Sequence, residues 1–370
     1  MIVFFIRHLC VKVYLLSLFL YILGLIKFHT FAPYTKMIIP MNQTQDQVKI
    51  KTMKMVLGIG FVLMVLKFFA YYLTSSSAIL TDAIESIVNI LAGSFALYSL
   101  YYAAKPKDED HPYGHGKIEF LSTGVEGGMV TLAGVAMLIK GISAFFNPHD
   151  LDNIDIGLGI SVFSGIVNYM LARILIKKGT ALNSSTMLAD GKHLLTDTWS
   201  SVGLVIGLII IYFTKAFWVD YVITIGLGIL ITYTGIHLIR ESVFNLLDKA
   251  DVVKIEHLIK VLNSKRKASW IDIHNLRVVK YGSVVHVDCH MTLPWYFTLE
   301  EAHTEVDAVD KLATQEYNHE VEFFIHSDPC LPKSCYICTM EHCKVRQHEF
   351  VEKLEWNMGN VLPDTKHTIV

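Results

Sequence analysis

The stretch SSAILTDAIESIVN, residues 76–89, decides how this chain folds, because it places Asp82, Glu85 and Asn89 inside a long apolar run. These three residues have the spacing i, i+3 and i+7, so they share one face of an α-helix. A charged side chain at the centre of a bilayer costs about 2.5–3.5 kcal/mol on insertion scales, so such residues normally face a protein-lined cavity. The stretch therefore predicts a membrane helix with a buried polar face.

A second stretch repeats this polar face. SSTMLADGKHLLTD, residues 184–197, aligns with residues 76–89 without a gap, and its Asp190, His193 and Asp197 stand where the first stretch has its three polar residues. His193 and Asp197 are four residues apart, and adjacent helical turns bring such side chains together. An imidazole and a carboxylate so placed are a common ligand pair for a divalent metal ion.

Together the two stretches predict a metal site between the second and fifth apolar helices. The four predicted ligands, which would complete a tetrahedral set, are Glu85, Asn89, His193 and Asp197. Asp82 and Asp190 lie one turn toward the start of each helix and are expected to line the path or orient the ligands. A purely structural polar bundle is the alternative. An intramembrane metal hydrolase is a weaker one, because the chain has no HExxH sequence, and we expect no enzyme.

The composition indicates that the chain has several membrane helices. The protein has 370 residues, is 52% hydrophobic and only 18% charged, and its mean hydropathy is +0.42. A membrane span needs about 20 apolar residues. Six stretches fit, at 53–74, 79–103, 118–145, 153–176, 185–213 and 217–240. Basic residues concentrate on one side of these stretches: before the first, between the second and third, at the end of the fourth and after the sixth. Both ends of this region are therefore expected in the cytoplasm. The net charge of −2 gives no reason to expect nucleic acid as a partner.

The domain boundaries follow from shifts in composition. Residues 41–244 are predicted to form the six-helix membrane domain, residues 245–329 a soluble domain, and residues 330–370 a cysteine-rich tail. Residues 1–40 are apolar with no clear signal-peptide cleavage site, so they are either a seventh helix or the product of an upstream start codon.

The soluble domain has the pattern of a small α+β fold. SVVHVDCHMTL, residues 283–293, alternates with period two and predicts a strand. A helix over 249–263, a strand near 273–280, a helix over 299–317 and a strand over 320–329 complete the order α-β-β-α-β, as in ferredoxin-like domains.

The tail contains a cysteine cluster with the spacing C-x4-C-x2-C-x4-C. A cytoplasmic domain keeps its thiols reduced, so the cluster favours a metal site over disulfides. A tetrahedral zinc site with four thiolates is the principal prediction, while an iron–sulfur cluster and unliganded thiols are the alternatives. The four residues are Cys330, Cys335, Cys338 and Cys343.

Three motifs in this order make the chain resemble the cation diffusion facilitator family. They are LTDAIESIVN in the second helix, DEDHPYGHGKIE in the loop after it and LADGKHLLTDTWSS in the fifth helix. The resemblance covers about residues 50–330 and implies a homodimeric, multi-pass exporter that exchanges a divalent metal for protons across the lipid bilayer. Zinc is the commonest cargo of the family, and iron and manganese are also represented. Short loops and the lack of eukaryotic targeting signals favour a bacterial inner membrane, with the C-terminal domain cytoplasmic.

The resemblance also implies two further metal sites. One is a loop site at the membrane surface, formed by Asp108, His111 and His115, for which a solvated polar loop is the alternative. The other is a zinc site of the cytoplasmic domain, formed by His274, His290, His303, His326 and Asp328.

The chain departs from the family at the transport site. The family usually has His or Asp with Asp, four residues apart, where this chain has Glu85 and Asn89. The neutral amide leaves the site with one charge fewer, which puts the choice of metal in question. It also admits a non-transporting sensor relative as the alternative function.

Overall fold

The structure is a computed structural model that describes residues 43–74, 77–146, 154–214, 218–316 and 321–367. The chain divides into two compact units, Met1–Leu246 and Leu247–Val370. The predictions for residues 1–40 lie outside the described residues.

The first unit consists of long helices, as the apolar stretches predict. In chain order they are α1 Gln43–Thr74, α2 Ser77–Ala103, α3 Ile118–Phe146, α4 Ile154–Ala181, α5 Ser185–Thr214 and α6 Trp218–Leu246. Four segments of the described chain are long and apolar enough to cross a membrane: Gln45–Phe69, Ser86–Ala103, Ile118–Ser143 and Val222–Leu246. Helix α1 begins at Gln43 rather than at residue 53 because the polar residues before the apolar stretch are compatible with a helix.

Two kinds of packing hold this unit together. Large apolar side chains from α1, α2, α4 and α5 form one buried cluster that includes Met53, Leu97 and Leu175. Helices α3 and α6 instead meet through small residues. A Cβ atom added to Gly127 would lie 2.9 Å from the carbonyl oxygen of Gly235, closer than real Cβ atoms approach an oxygen. The backbones of α3 and α6 are therefore in direct contact, as small residues allow between membrane helices.

The second unit has the predicted α-β-β-α-β order. Its elements are α7 Val252–Lys265, β1 Asp272–Tyr281, β2 Val284–Leu293, α8 Leu299–Glu316 and β3 Val321–Pro329. The strands lie in the order β1-β2-β3, with β1 antiparallel and β3 parallel to β2. The apolar faces of α7 and α8 pack on the sheet around Leu258, Val287 and Val309. Because side chains alternate along β2, its apolar residues point into this core and its polar residues point to the other face of the sheet.

Strand β1 contains an irregularity that matters for the site. Its pairing with β2 shifts between His274 and Arg277, and Asn275 has a φ of 53°. Asparagine tolerates this left-handed conformation better than most residues. The bulge frees the backbone N–H of Asn275 from the strand pairing, and this N–H donates to the carbonyl oxygen of Pro363 at 2.8 Å.

The tail packs on the second unit. It contains the 3₁₀ helix Pro332–Tyr336 and the short helix α9, Met358–Val361. Trp356, 3% exposed, joins the core of the sheet, and the Arg266 guanidinium lies 3.9 Å from its ring centroid. Burial lowers the pKa of Arg266 to about 10 despite the charges of Asp272 and Cys338. The tail is therefore a structural layer of this unit.

Candidate metal centres

Helices α2 and α5 bring predicted transport ligands together. The Asn89 side-chain amide donates a hydrogen bond to Oδ2 of Asp197 at 2.9 Å, and Nε2 of His193 lies 3.6 Å from Oδ1 of Asp197. The i, i+4 spacing on α5 and the matching turn of α2 produce this meeting. The side chains of Asp82 and Glu85 lie outside the described residues.

A carboxylate that the sequence reading did not select completes this group. Oε1 of Glu126, on α3, lies 3.4 Å from Nδ1 of His193, and Glu126 is only 3% exposed. Neither carboxylate oxygen of Glu126 has a hydrogen-bond partner among the described residues. The available signal was an acid about two turns inside the apolar run of α3, beyond the Glu119 of its first turn. We call Asn89, Glu126, His193 and Asp197 the membrane centre.

A small cavity of about 50 Å³ adjoins the membrane centre. Asn89, Asp190 and His193 line it, as does Lys67 from α1. Asp190 therefore lies on the wall of a cavity next to His193. The Lys67 ammonium donates to the hydroxyl of Ser86 at 3.0 Å, so the cavity wall also carries a positive group. A cavity of this size can admit a single ion or a few waters.

The three predicted loop residues lie together between α2 and α3. Oδ1 of Asp108 lies 2.9 Å from Nδ1 of His111, and Oδ2 lies 3.3 Å from Nε2 of the buried His115. Ligand atoms of all three lie within 4.8 Å of one another. Desolvation would raise the pKa of Asp108, but hydrogen bonds from His111 outweigh it and lower the pKa. The carboxylate is therefore ionised and can accept a cation.

A row of histidines crosses the sheet of the second unit. The strand register pairs His274 with His290 across β1 and β2, and His290 with His326 across β2 and β3. Cross-strand neighbours project from the same face, so register alone brings three imidazoles together. Asp328 lies two residues beyond His326 on the same face of β3.

The distances make these four residues one group, which we call the sheet cluster. Oδ2 of Asp328 lies 3.4 Å from Nε2 of His274 and 3.2 Å from Nδ1 of His290. Ligand atoms of His290, His326 and Asp328 lie within 4.8 Å of one another. His303, the fifth predicted residue, is not part of the group. It is exposed on α8, with Nε2 3.6 Å from Asp307.

Burial keeps the central imidazole of the sheet cluster in the form that binds metals. His274 is 3% exposed, and burial lowers its pKa despite the nearby charges of Asp272 and Asp328. A neutral imidazole offers a free lone pair, whereas a protonated one does not. Nδ1 of His274 has no hydrogen-bond partner among the described residues.

The tail adds a residue that the sequence reading missed. Ligand atoms of His274, His290 and Asp364 also lie within 4.8 Å of one another. Nothing in the local sequence around Asp364 indicates this, because the contact depends on the path of the tail over the sheet.

The four tail cysteines line one cavity of about 40 Å³. Burial raises the pKa of Cys330 and Cys338, and the charges of neighbouring cysteines, Cys335 and Cys343 in both cases, add to the effect. The groups in the described chain whose three ligand atoms lie within 4.8 Å of one another contain no cysteine. The structure therefore gathers the thiols without drawing them into a tight ligand set.

A multi-pass helical domain with a buried ionisable centre, joined to an α+β unit with a second cluster, defines a transporter of metal cations. The chain belongs to the cation efflux family, the cation diffusion facilitators. Residues 53–247 match its "Cation efflux transmembrane domain", and residues 250–330 match its "Cation efflux protein, cytoplasmic domain". Members of this family are transporters and not enzymes.

Similar proteins support the same assignment. The "Uncharacterized transporter sll1263" of Synechocystis sp. is 33% identical over 257 residues, which cover 69% of this chain and 83% of the relative. The "Cation-efflux pump FieF" of Yersinia pestis is 26% identical over 282 residues, covering 74% of this chain and 90% of the relative. The Yersinia pseudotuberculosis protein of the same name has the same identity and coverage.

Proposed function

We propose that this protein exports a divalent transition-metal cation by exchange for protons, with zinc as the first candidate cargo and iron or manganese as the others. The observation that carries the proposal is the meeting of His193, Asp197 and Asn89 from α5 and α2, with Glu126 from α3, beside a cavity. A buried set of one imidazole and two carboxylates suits such an ion.

The chemistry of exchange follows from these groups. A metal ion and a proton compete for the same lone pairs, so binding one releases the other. Imidazole has an ordinary pKa of about 6.5, which makes His193 the natural proton carrier. Glu126 and Asp197 flank the two ring nitrogens of His193 and balance the charge of either cargo.

The test is flux in proteoliposomes that contain the purified full-length protein and a pH-sensitive dye. We expect external zinc, iron(II) or manganese(II) to drive proton movement in the opposite direction to the metal. Metal movement without a proton signal would remove the antiport, and no metal movement with any of the three would remove the transport function.

One observation favours a second candidate, a metal-binding sensor of the same family that does not transport. The Asn89 nitrogen is turned toward Asp197, so the amide acts as a donor to a carboxylate. A protein of this kind would bind metal in calorimetry and show no flux in the same vesicles.

The proposal includes the oligomeric state and the membrane in which the protein works. We expect a homodimer in a bacterial inner membrane, with the second unit in the cytoplasm. The match of residues 250–330 to a cytoplasmic domain and the bacterial relatives support this setting. We further propose that the loop residues collect the metal and that the sheet cluster binds a regulatory metal ion. Crosslinking in membranes and accessibility of Cys335 from each side test the dimer and the orientation.

A further inference from the structure

The tail runs beyond residue 330, where the match to the family's cytoplasmic domain ends, and its last described residues cross the sheet cluster. On the β1 side, the N–H of Asn275 donates to the carbonyl oxygen of Pro363 at 2.8 Å. The backbone N–H of His367 donates to Oδ2 of Asp272 at 2.9 Å, and its ring Nδ1 lies 2.7 Å from Oδ1. These bonds hold residues 363–367 over the sheet.

The β3 side provides the opposite anchor. The Lys366 ammonium donates to the carbonyl oxygen of Pro329 at 3.1 Å and lies 3.3 Å from Oδ1 of Asp328. The segment is therefore fixed on both sides of the cluster, and Asp364 lies between the anchors. The backbone hydrogen bonds at Pro363 and His367 set its position.

The charges around the cluster single out Asp364. Asp272 is engaged by His367, and Asp328 by Lys366. Asp364 makes no ion pair or side-chain hydrogen bond with the residues that the structure describes. Its carboxylate lies within 4.8 Å of ligand atoms of His274 and His290. Nδ1 of the buried His274 makes no hydrogen bond to the described residues and lies 3.7 Å from Oδ2 of Asp272. A buried imidazole nitrogen without a hydrogen bond calls for an explanation, and a metal ligand role is one.

We propose that Asp364 is a metal ligand supplied by the tail, so that a divalent transition-metal ion bound with His274 and His290 fastens the tail to the sheet. Two imidazoles and one carboxylate form a ligand set that such ions accept, with a position left for water. The Lys366–Asp328 pair stays intact in this arrangement. A metal held by His290, His326 and Asp328 would instead compete with Lys366 for the carboxylate. The inference rests on the proposed metal binding by the sheet cluster, and not on transport.

The consequence is that metal occupancy controls tail docking. Any ligand that binds only the docked form stabilises it by RT ln(1 + [L]/Kd). The ratio of docked to undocked tail therefore rises about 100-fold when the free ligand is at 100 times its Kd. The tail then reports the cytoplasmic metal level through its own attachment.

Hydrogen exchange measured by mass spectrometry on the full-length protein in detergent tests this, with zinc alone as the probe. We expect zinc to slow amide exchange in residues 357–367 of the wild type by up to about 100-fold at 100 times its Kd. Asp364→Asn should reduce this slowing tenfold or more, and the exposed tail variant Glu352→Gln should retain it.

Two results would overturn the proposal: no effect of zinc on these amides in the wild type, or undiminished slowing in Asp364→Asn. Asp364→Asn is isosteric at an exposed position, so misfolding does not confuse the readout. Proton flux of the same variant in proteoliposomes separates the two proposals. Failure of transport in the wild type leaves the exchange result standing, and failure of the exchange result leaves transport standing.

Discussion

The membrane centre and the sheet cluster assemble similar side chains by different means. In the membrane centre, the 3.6-residue period of α5 places His193 beside Asp197, and packing against α2 and α3 supplies Asn89 and Glu126. In the sheet cluster, strand register aligns three histidines that are far apart in sequence. A helix supplies two ligands one turn apart, whereas the histidine row takes one residue from each of three strands.

Their surroundings differ as well. His193 and Glu126 are 6% and 3% exposed, and both belong to helices that pack against other helices. The sheet cluster has an exposed His326 on one side and the tail on the other. An enclosed centre suits a cargo that must be released by a conformational change, and an open cluster suits an ion that equilibrates with the surrounding solution. The following predictions test this contrast.

The largest effect should come from His193→Ala. We expect metal-driven proton flux in proteoliposomes to fall by more than about 100-fold, since even outer partners of metal ligands are worth 10–100-fold. His237→Ala, which removes an exposed histidine of α6, is the matched control and should transport normally. Wild-type flux in the His193 variant would remove it from the transport site.

Glu126→Gln should have the next largest effect. It replaces the carboxylate 3.4 Å from Nδ1 of His193 by a neutral group of the same shape, so we expect transport to fall about 10–100-fold. Glu241→Gln on α6, whose carboxylate pairs with Lys192 at the surface, serves as the control. Equal flux in both variants would show that Glu126 is a structural neighbour only.

Asn89→Asp should change selectivity more than rate. The aspartate gives α2 a charged ligand at position 89 in place of a neutral amide. We expect the affinity for zinc to rise about tenfold relative to that for manganese, a difference in binding free energy of roughly 1.4 kcal/mol. Competition calorimetry on the purified protein measures this. An unchanged order of affinities would mean that residue 89 contacts Asp197 without contacting the metal.

The smallest effect on transport should come from the tail cysteines. Replacing Cys335 and Cys338 by serine in the full-length protein should leave flux unchanged and lower the bound zinc by about one ion per chain, as a four-thiolate site requires. Elemental analysis of protein purified without chelator decides this. Equal metal content would assign the cluster to free thiols.

The sequence predicts the helical part of this architecture better than the rest. The polar face of residues 184–197 could be read from spacing, because a helix brings i and i+4 together wherever it forms. The α-β-β-α-β order followed from period-two alternation and amphipathic spacing. Glu126 is visible in the sequence as an acid within an apolar helix, but which residue it contacts depends on how α3 packs against α5.

Contacts made by loops and tails were beyond such reasoning. Asp364 approaches His274 only because the bulge at Asn275 and the anchors on Asp272 and Pro329 fix the tail's path. The resemblance grouped His303 with the sheet cluster, yet within one chain α8 directs it elsewhere. Non-local geometry of this kind has no periodic signature.

The glycine contact between α3 and α6 has a mechanical consequence. With Gly127 and Gly235 in backbone contact, the two helices pack more closely than helices separated by large side chains, and we expect them to move together. Glu126 is the neighbour of Gly127 and belongs to this pair of helices, while His193 belongs to α5. If α3 moves with α6 and away from α5 during transport, the separation of Glu126 and His193 changes, and a distance probe between α3 and α5 measures that change.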